Sequence, residues 1–265
     1  MNSRLHDRVA VIVGAGQQPG PTVGNGRATA IRFAEEGARL LLVDRDADSV
    51  AETHREVAEA GAIASHLVVD ITAEDAPDRI VTAAIEAYGR IDILHNNVGI
   101  GAGDAPPHQL TDEVFDRIMD VNLRALWRIC RAAIPIMRRQ ESGVITNISS
   151  IASIAATNIA AYRMSKAGID ALTKNLAVTN AKHGIRVNAI LPGLIDTPLG
   201  VDSAARAMGI DREVLAERRA AAVPMGHQGT AWDVANAAVF LASDEAAFIT
   251  GVCLPVDGGQ TARVG

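Results

Sequence analysis

Short apolar runs alternate with longer amphipathic stretches along most of the chain. Residues 9–13 (Val-Ala-Val-Ile-Val) are apolar at every position and predict a strand covered on both faces. Similar runs at 39–43, 65–69, 91–94, 144–148, 185–190 and 252–256 predict further strands. Between them the spacing turns helical, at 25–36, 48–60, 73–88, 111–121, 123–139, 159–182 and 231–242. Continuous apolar strands separated by helices predict a parallel sheet with helices on both faces. The fold class is therefore α/β, a doubly wound, Rossmann-like three-layer sandwich. No repeat or linker interrupts the alternation, so residues 1–265 read as one domain. Only 197–225, rich in Ala and Arg after a Pro-Gly turn, breaks the pattern; it is expected to be a flap over a substrate.

Two places carry nucleotide-binding chemistry. The first strand runs into a glycine-rich stretch, from Gly14 and Gly16 to Gly24-Asn25-Gly26, and then a helix. Glycines let the backbone approach a pyrophosphate, and a helix N-terminus offers amides and a favourable dipole to it. Asp44 ends the second strand, where a carboxylate accepts from ribose hydroxyls and repels a 2′-phosphate. Arg45 beside it has the opposite preference, but the stretch from Gly14 to Gly26 holds no Lys or Arg, so NAD is expected over NADP. Asp70, with Ile71 after it, is placed either to meet the adenine or to cap the helix that follows.

The chain has only two tyrosines, which draws notice to Tyr162 and its spacing to Lys166. Residues at i and i+4 share a helix face, so phenol and ammonium can enter one pocket. A phenol is a poor base at neutral pH, and a neighbouring cation is expected to lower its pKa. The serine pair Ser149-Ser150 stands upstream at a strand end, where a hydroxyl can hold a carbonyl or alcohol oxygen. With a nicotinamide alongside, the set suits hydride transfer at a secondary alcohol.

Together these residues resemble the short-chain dehydrogenase/reductase family in its compact form, over essentially the whole chain. The motifs fall in family order: the glycine loop, Asp44, Asp70, Asn96-Asn97-Val98-Gly99, Asn122, the serines, Tyr162/Lys166, Pro192-Gly193 and Val256-Asp257-Gly258-Gly259. The resemblance implies that Asn96 begins the stretch that steadies the central strands. Asn97 and Gly99 from that stretch, with Asp44, Arg45, Asp70 and Ile71, border the cofactor. Asn122 sits at a helix kink in the proton relay. Ser150 orients the substrate oxygen, Tyr162 is the acid/base, and Lys166 holds the nicotinamide ribose and lowers the tyrosine pKa. Pro192, Gly193, Ile195 and Thr197 meet the nicotinamide end. The sequence departs from the pattern in three ways. Val13 replaces a threonine, and extra residues including Pro19 and Pro21 lengthen the glycine loop. Val98 stands where alanine is usual. The strand-end motif picks Ser150, whereas the commoner spacing to the tyrosine picks Ser149.

Composition narrows the function. At 265 residues and 48% hydrophobic, the chain can bury a large core. A net charge of -6 with dispersed signs gives no basic patch for nucleic acid or a lipid surface. No apolar run reaches membrane-spanning length, the N-terminus has no signal-like core, and Cys130 and Cys253 lack metal or redox spacing. A cytoplasmic protein without a metal is expected. Aromatics are only 3%, so the pocket should be aliphatic. Candidate walls are residues 151–154 with Thr157 and Asn158, residues 100–106, and Leu199, Val201, Met208 and Leu215 of the flap. Arg206, Arg212, Arg218 and Arg219 are expected to form a solvated helix face. These features fit an NAD-dependent dehydrogenase of a neutral secondary alcohol. The alternatives are an NADPH-dependent ketone or 3-oxoacyl reductase and a non-catalytic nucleotide-binding scaffold. Surplus apolar residues on helices 123–139 and 159–182 (Leu126, Trp127, Ile134, Ala160, Ala161, Ala167, Ala171, Leu172) predict a second covered face, and the resemblance implies a homotetramer.

Overall fold

The computed structural model describes residues 3–155 and 158–263. In chain order the elements are β1 (Val9–Val13), α1 (Asn25–Glu35), β2 (Arg39–Asp44), α2 (Ala47–Glu59), β3 (Ala64–Val68), α3 (Ala76–Tyr88), β4 (Ile93–Asn96) and α4 (Asp112–Met119). A π-helical turn at Asp120–Arg124 joins α4 to α5 (Ala125–Gln140). Then follow β5 (Gly143–Ile148), α6 (Ala161–Asn180), β6 (Ile185–Pro192) and β7 (Ile195–Asp196). The segment expected to be a flap contributes a second π turn (Pro198–Asp202), α7 (Ser203–Met208) and α8 (Arg212–Ala221). The chain closes with β8 (Gly229–Thr230), α9 (Ala231–Ala242) and β9 (Cys253–Val256).

Seven strands form one parallel sheet in the order β3-β2-β1-β4-β5-β6-β9, and β7 pairs with β8 separately. Alternate strand residues serve opposite faces. Val11, Val13, Leu41, Leu94 and Ile145 pack against α3 and α5, through Ile80, Ala84, Ile129 and Cys130. Ala10, Ile12, Leu40, Leu42 and Ile93 pack against α1, α2 and α9, through Phe33, Val50, Val57, Val234 and Val239. Both faces are buried, which is why the strands read as unbroken apolar runs. The strand order reverses direction between β1 and β4, the place where sheets of this kind open a crevice at the strands' carboxyl ends.

Several element boundaries differ from the sequence expectations. β4 lies two residues later than predicted because Asp92 is spent on the sheet's entry: its carboxylate accepts from Val9 N (2.9 Å) and pairs with Arg90. α3 starts at Ala76, not at residue 73, so Asp70 does not cap it; the Asp70 carboxylate instead accepts from Thr72 N and Oγ1 in a local turn. The two helices predicted to break near residue 122 are continuous through the first π turn, whose extra residue leaves Asn122 projecting from the ladder.

Candidate active site

Every predicted site residue lies at or beyond the carboxyl end of a strand, or on a helix facing that end. At β1 the chain turns at Gly14 (φ 85°), and its N–H donates to Val43 O. Helix α1 starts directly on this turn: a Cβ on Gly26 would lie 1.8 Å from Gly14 O, so only glycine fits. Asn97 Nδ2 donates to the same carbonyl at 3.1 Å, and Val98 packs over Gly14. The lengthened loop is tied down by residues the sequence reading did not single out. Gln17 N donates to Ser49 Oγ (2.7 Å), and Gln17 Oε1 accepts from Gly24 N (2.9 Å), closing the excursion at its base. At its far end Gly20 leans on Pro198 and Asp202 of the flap. A single sequence offers no signal for these contacts, because Ser49, Pro198 and Asp202 are distant along the chain and Gln17 and Gly24 stand in no periodic relation.

Asp44 borders the same loop. Its Oδ2 accepts from Gly16 N at 2.9 Å and its Oδ1 from Asp46 N at 3.1 Å. Arg45 is exposed, and its charge helps hold the Asp70 carboxyl below its ordinary value, after the larger effect of the Thr72 hydrogen bonds. Ile71 is buried in the core beside it.

The four residues assigned to the reaction come from three directions. Tyr162 and Lys166 lie on the first turns of α6, Ser150 follows β5, and Asn122 projects from the π turn. Ser150 lies near enough to the Tyr162 phenol to influence its titration, and its Oγ accepts from Ala152 N at 3.1 Å. Ser149 points the other way: its buried hydroxyl donates to Lys166 O at 3.1 Å. The strand-end register therefore faces Ser150, not Ser149, toward the phenol. Asn122 accepts from Ile100 N (2.8 Å) and donates to Ile100 O (2.9 Å) and Ser165 Oγ (3.0 Å), fixing the strand-exit loop against α6. Asn96, Asn147 and Thr173 form a buried chain of hydrogen bonds that joins β4, β5 and α6 beneath the site.

One electrostatic expectation is corrected. The Lys166 ammonium was expected to lower the Tyr162 pKa. Here Nζ donates to Ile148 O at 2.8 Å and stands 5.6 Å from the phenol ring centre. Burial raises the phenol above its ordinary value, and the nearby Ser150 hydroxyl offsets part of that rise. Burial likewise brings Lys166 down to about 8, with Asp170 partly opposing. Desolvation thus outweighs the opposing effect at both groups, a nearby hydroxyl for Tyr162 and the Asp170 carboxylate for Lys166.

On the far side of the crevice, Pro192 ends β6 in register with Val256, and Gly193 is packed so closely on Asp257 and Gln260 that a Cβ would not fit. Ile195 is buried in the core, and Thr197 Oγ1 caps the second π turn through Gly200 N. Gly99 comes close to Lys166, since a Cβ there would lie 3.0 Å from Nζ. The flap differs from expectation. Val201 and Leu215 do not line a pocket but form a small core with Ala205, while Leu199 and Met208 are exposed. Arg212 and Arg219 are not a solvated face: Arg212 pairs with Asp196 and Asp202, and Arg219 bonds Gln228 Oε1 and Ile195 O. Of the residues offered for a second apolar face, Leu126, Ile134 and Ala161 belong to the chain's own interior, and Trp127, Ala167 and Ala171 remain exposed. Thr157 lies outside the described residues.

A parallel sheet with a glycine-lined turn and a Ser-Tyr-Lys-Asn cluster at its carboxyl edge defines a class of dinucleotide-dependent oxidoreductases. The family model described as enoyl-(acyl carrier protein) reductase matches residues 22–261. Levodione reductase of Leifsonia aquatica is 36% identical over 98% of this chain and 96% of its own, and the structure of levodione reductase superposes with a TM-score of 0.93, covering 98% of this chain and 100% of that one. Cis-4-hydroxycyclohexanecarboxylate dehydrogenase of Sinomonas cyclohexanicum is 37% identical over 99% of this chain and 100% of its own. Carveol dehydrogenase of Mycobacterium avium, solved in complex with NAD, is 29% identical with a TM-score of 0.91, covering 98% of this chain and 100% of that one. The chain belongs to the short-chain dehydrogenase/reductase family. It is an oxidoreductase that moves a hydride between a nicotinamide cofactor and an alcohol or ketone.

The residues present fit such a cofactor. The first turn of α1 carries no acidic side chain, and the Thr22 hydroxyl beside it, which can donate, is buried without a partner among the described residues. A helix start of that kind suits a pyrophosphate. Among the described residues no helix is long and apolar enough to cross a membrane.

Proposed function

We propose that the protein is an NAD(H)-dependent dehydrogenase of a secondary alcohol borne on an aliphatic ring, with Tyr162 as acid/base. The observation that carries this is the convergence of Tyr162 and Lys166 on the first turns of α6, with Lys166 Nζ 5.6 Å from the phenol ring centre, and of Ser150 just beyond β5, at the sheet edge that also holds Gly14, Gly24, Asn25, Gly26 and Asp44. Bound there, the nicotinamide supplies the hydride acceptor or donor. The chain's own residues do the rest. Ser150 holds the substrate oxygen, and Tyr162 takes or gives its proton. Lys166 steadies the cofactor's ribose, and Asn122 keeps the loop from Gly99 in place. Pro192, Gly193, Ile195 and Thr197 border the nicotinamide end, and Asn97, Asp70 and Ile71 the adenosine side.

NAD is favoured over NADP by Asp44 at the end of β2. The nearest basic residue after the loop, Arg27, is already paired with Glu52 and Glu56 and is not free for a 2′-phosphate. The exposed charge of Arg45 is shared with Asp70. A ring substrate is supported by the relative that acts on a hydroxycyclohexane carboxylate and by the small, aliphatic neighbours of the phenol, such as Gly101. A cytoplasmic homotetramer is part of the proposal, supported by exposed Trp127 on α5 and Met164 and Val178 on α6. Sedimentation at assay concentration tests it, and an active monomer contradicts it.

The deciding experiment supplies NAD⁺ or NADP⁺ with a panel of cyclohexanols and open-chain secondary alcohols and follows the reduced nicotinamide's absorbance. Turnover with NAD⁺ that falls by ~10²–10⁴-fold in Tyr162→Phe, with the cofactor still bound, is expected. Near-normal turnover in that variant refutes the mechanism.

A further inference from the structure

Helix α6 carries Tyr162 and Lys166, yet it starts without a cap of its own. Its N-cap residue is Ala160, whose side chain cannot accept a hydrogen bond. The first N–H groups of an α-helix have no acceptor within the helix. Here a carboxylate from a different part of the chain takes them. Asp104, in the loop between β4 and α4, accepts through Oδ1 from Ala160 N (3.2 Å) and Ala161 N (3.1 Å), and through Oδ2 from Tyr162 N (2.7 Å). The shortest of the three goes to the residue that bears the phenol. A negative group at a helix start is also favoured by the helix dipole, and bonds to an ionised acceptor are the stronger kind.

The loop that brings Asp104 to this place also walls the phenol. Gly99 lies against Lys166 Nζ, and Gly101 lies against the Tyr162 ring, where a Cβ would be 3.3 Å from Cδ2. Asn122 holds Ile100 through both its N–H and its carbonyl, and Arg117 donates to Ala102 O at 2.6 Å. Asp104 fastens this braced loop to the very start of α6, and Asn122 ties it to Ser165 further along the helix. Ser150 is positioned by β5 and by the turn at residues 151–153, and β5 meets α6 through Ser149 and Lys166, one turn beyond Tyr162. The alignment of Tyr162 with Ser150 therefore depends on how the start of α6 is held relative to the sheet.

We propose that Asp104 is a positioning residue for the reaction: its carboxylate fixes the first turn of α6, and with it the direction of the Tyr162 phenol toward Ser150. The proposal rests on Tyr162 being the acid/base. It makes Asp104 part of the proton-transfer apparatus without contact with the substrate. The cofactor loop at Gly14–Gly26 and Asp44 lies on other elements, and Lys166 on α6 is held to the end of β5 independently of Asp104, through Ile148 O and Ser149 Oγ, so cofactor binding should be little affected.

The test compares wild type, Asp104→Ala, Asp104→Asn and Tyr162→Phe, using NAD⁺ and the best alcohol of the panel for kcat, and NADH fluorescence titration for affinity. A displacement of about 1 Å in a reacting group can cost ~10²-fold in rate. Asp104→Ala is expected to lower kcat by about 10- to 100-fold while the NADH dissociation constant stays within about twofold. Asp104→Asn keeps one acceptor and should recover part of the loss; it also reports if the alanine variant fails to fold. Wild-type kcat in Asp104→Asn and Asp104→Ala, with turnover lost in Tyr162→Phe, overturns the positioning role alone. A parallel fall in kcat and NADH affinity marks a general structural role and overturns it too. Retained turnover in Tyr162→Phe overturns the acid/base assignment and the proposal together.

Discussion

Replacing Ser149 and Ser150 by alanine, one at a time, separates two hydroxyls that adjacent positions place in different surroundings. Ser150 stands on the side of β5 that faces the Tyr162 phenol. Removing it deletes the group assigned to the substrate oxygen, and loss of one donor at a developing oxyanion costs ~10²–10³ in kcat. The same change also removes the acceptor for Ala152 N, a local capping contact whose effect on stability is ~1 kcal/mol. Ser149 instead donates to Lys166 O inside α6, and it is almost fully buried. Its loss removes one neutral hydrogen bond, about 0.5–1.5 kcal/mol, with no atom moved at the phenol. In a chain of this size that is a shift in Tm of about 2–4 °C per kcal/mol. Initial rates with NAD⁺ and alcohol, with thermal melts of the same preparations, give both quantities. Ser150→Ala should lose about a hundredfold or more in kcat, and Ser149→Ala should stay within a few-fold while melting lower. A larger kcat loss in Ser149→Ala than in Ser150→Ala refutes the assignment of the facing serine.

Asp44→Ala should weaken NADH binding and move the NADPH/NADH affinity ratio toward NADPH, because a repulsive element is lost. It should also weaken both cofactors somewhat, since Asp44 holds Gly16 N; fluorescence titrations with each cofactor read this, and a tenfold wild-type preference for NADPH contradicts the NAD assignment. Stability should depend on pH through Lys166. Its pKa is about 8 when folded and 10.5 ordinarily, so between those values the unfolded chain binds more protons and stability rises with pH. Tyr162, raised by burial, acts in the opposite sense above pH ~10. Urea melts of wild type and Lys166→Met at pH 8 and pH 10 should diverge in favour of wild type by up to about 2–3 kcal/mol. A constant difference between them contradicts the desolvation of Lys166.

The sequence by itself determined the layered α/β architecture and the positions of the chemistry. Two-face burial writes each strand as an unbroken apolar run, and helices between them leave one parallel plan. The glycines at 14 and 26 are legible because close backbone contact excludes every other residue, and Tyr162/Lys166 because i and i+4 share a helix face. Tertiary structure alone decided what depended on distant partners. The facing serine required β5 and α6 to be set against each other. Gln17 closing on Gly24, Gly20 resting on the flap, and the Arg212 pairs with Asp196 and Asp202 join residues with no periodic relation. The Tyr162 pKa was misjudged from sequence because a neighbouring cation can be read from spacing, whereas burial and the Lys166 bond to Ile148 O cannot. Asp104 is the clearest case: along the chain it is a loop aspartate, and it becomes the cap of α6 only when the loop after β4 is folded against a helix more than fifty residues away.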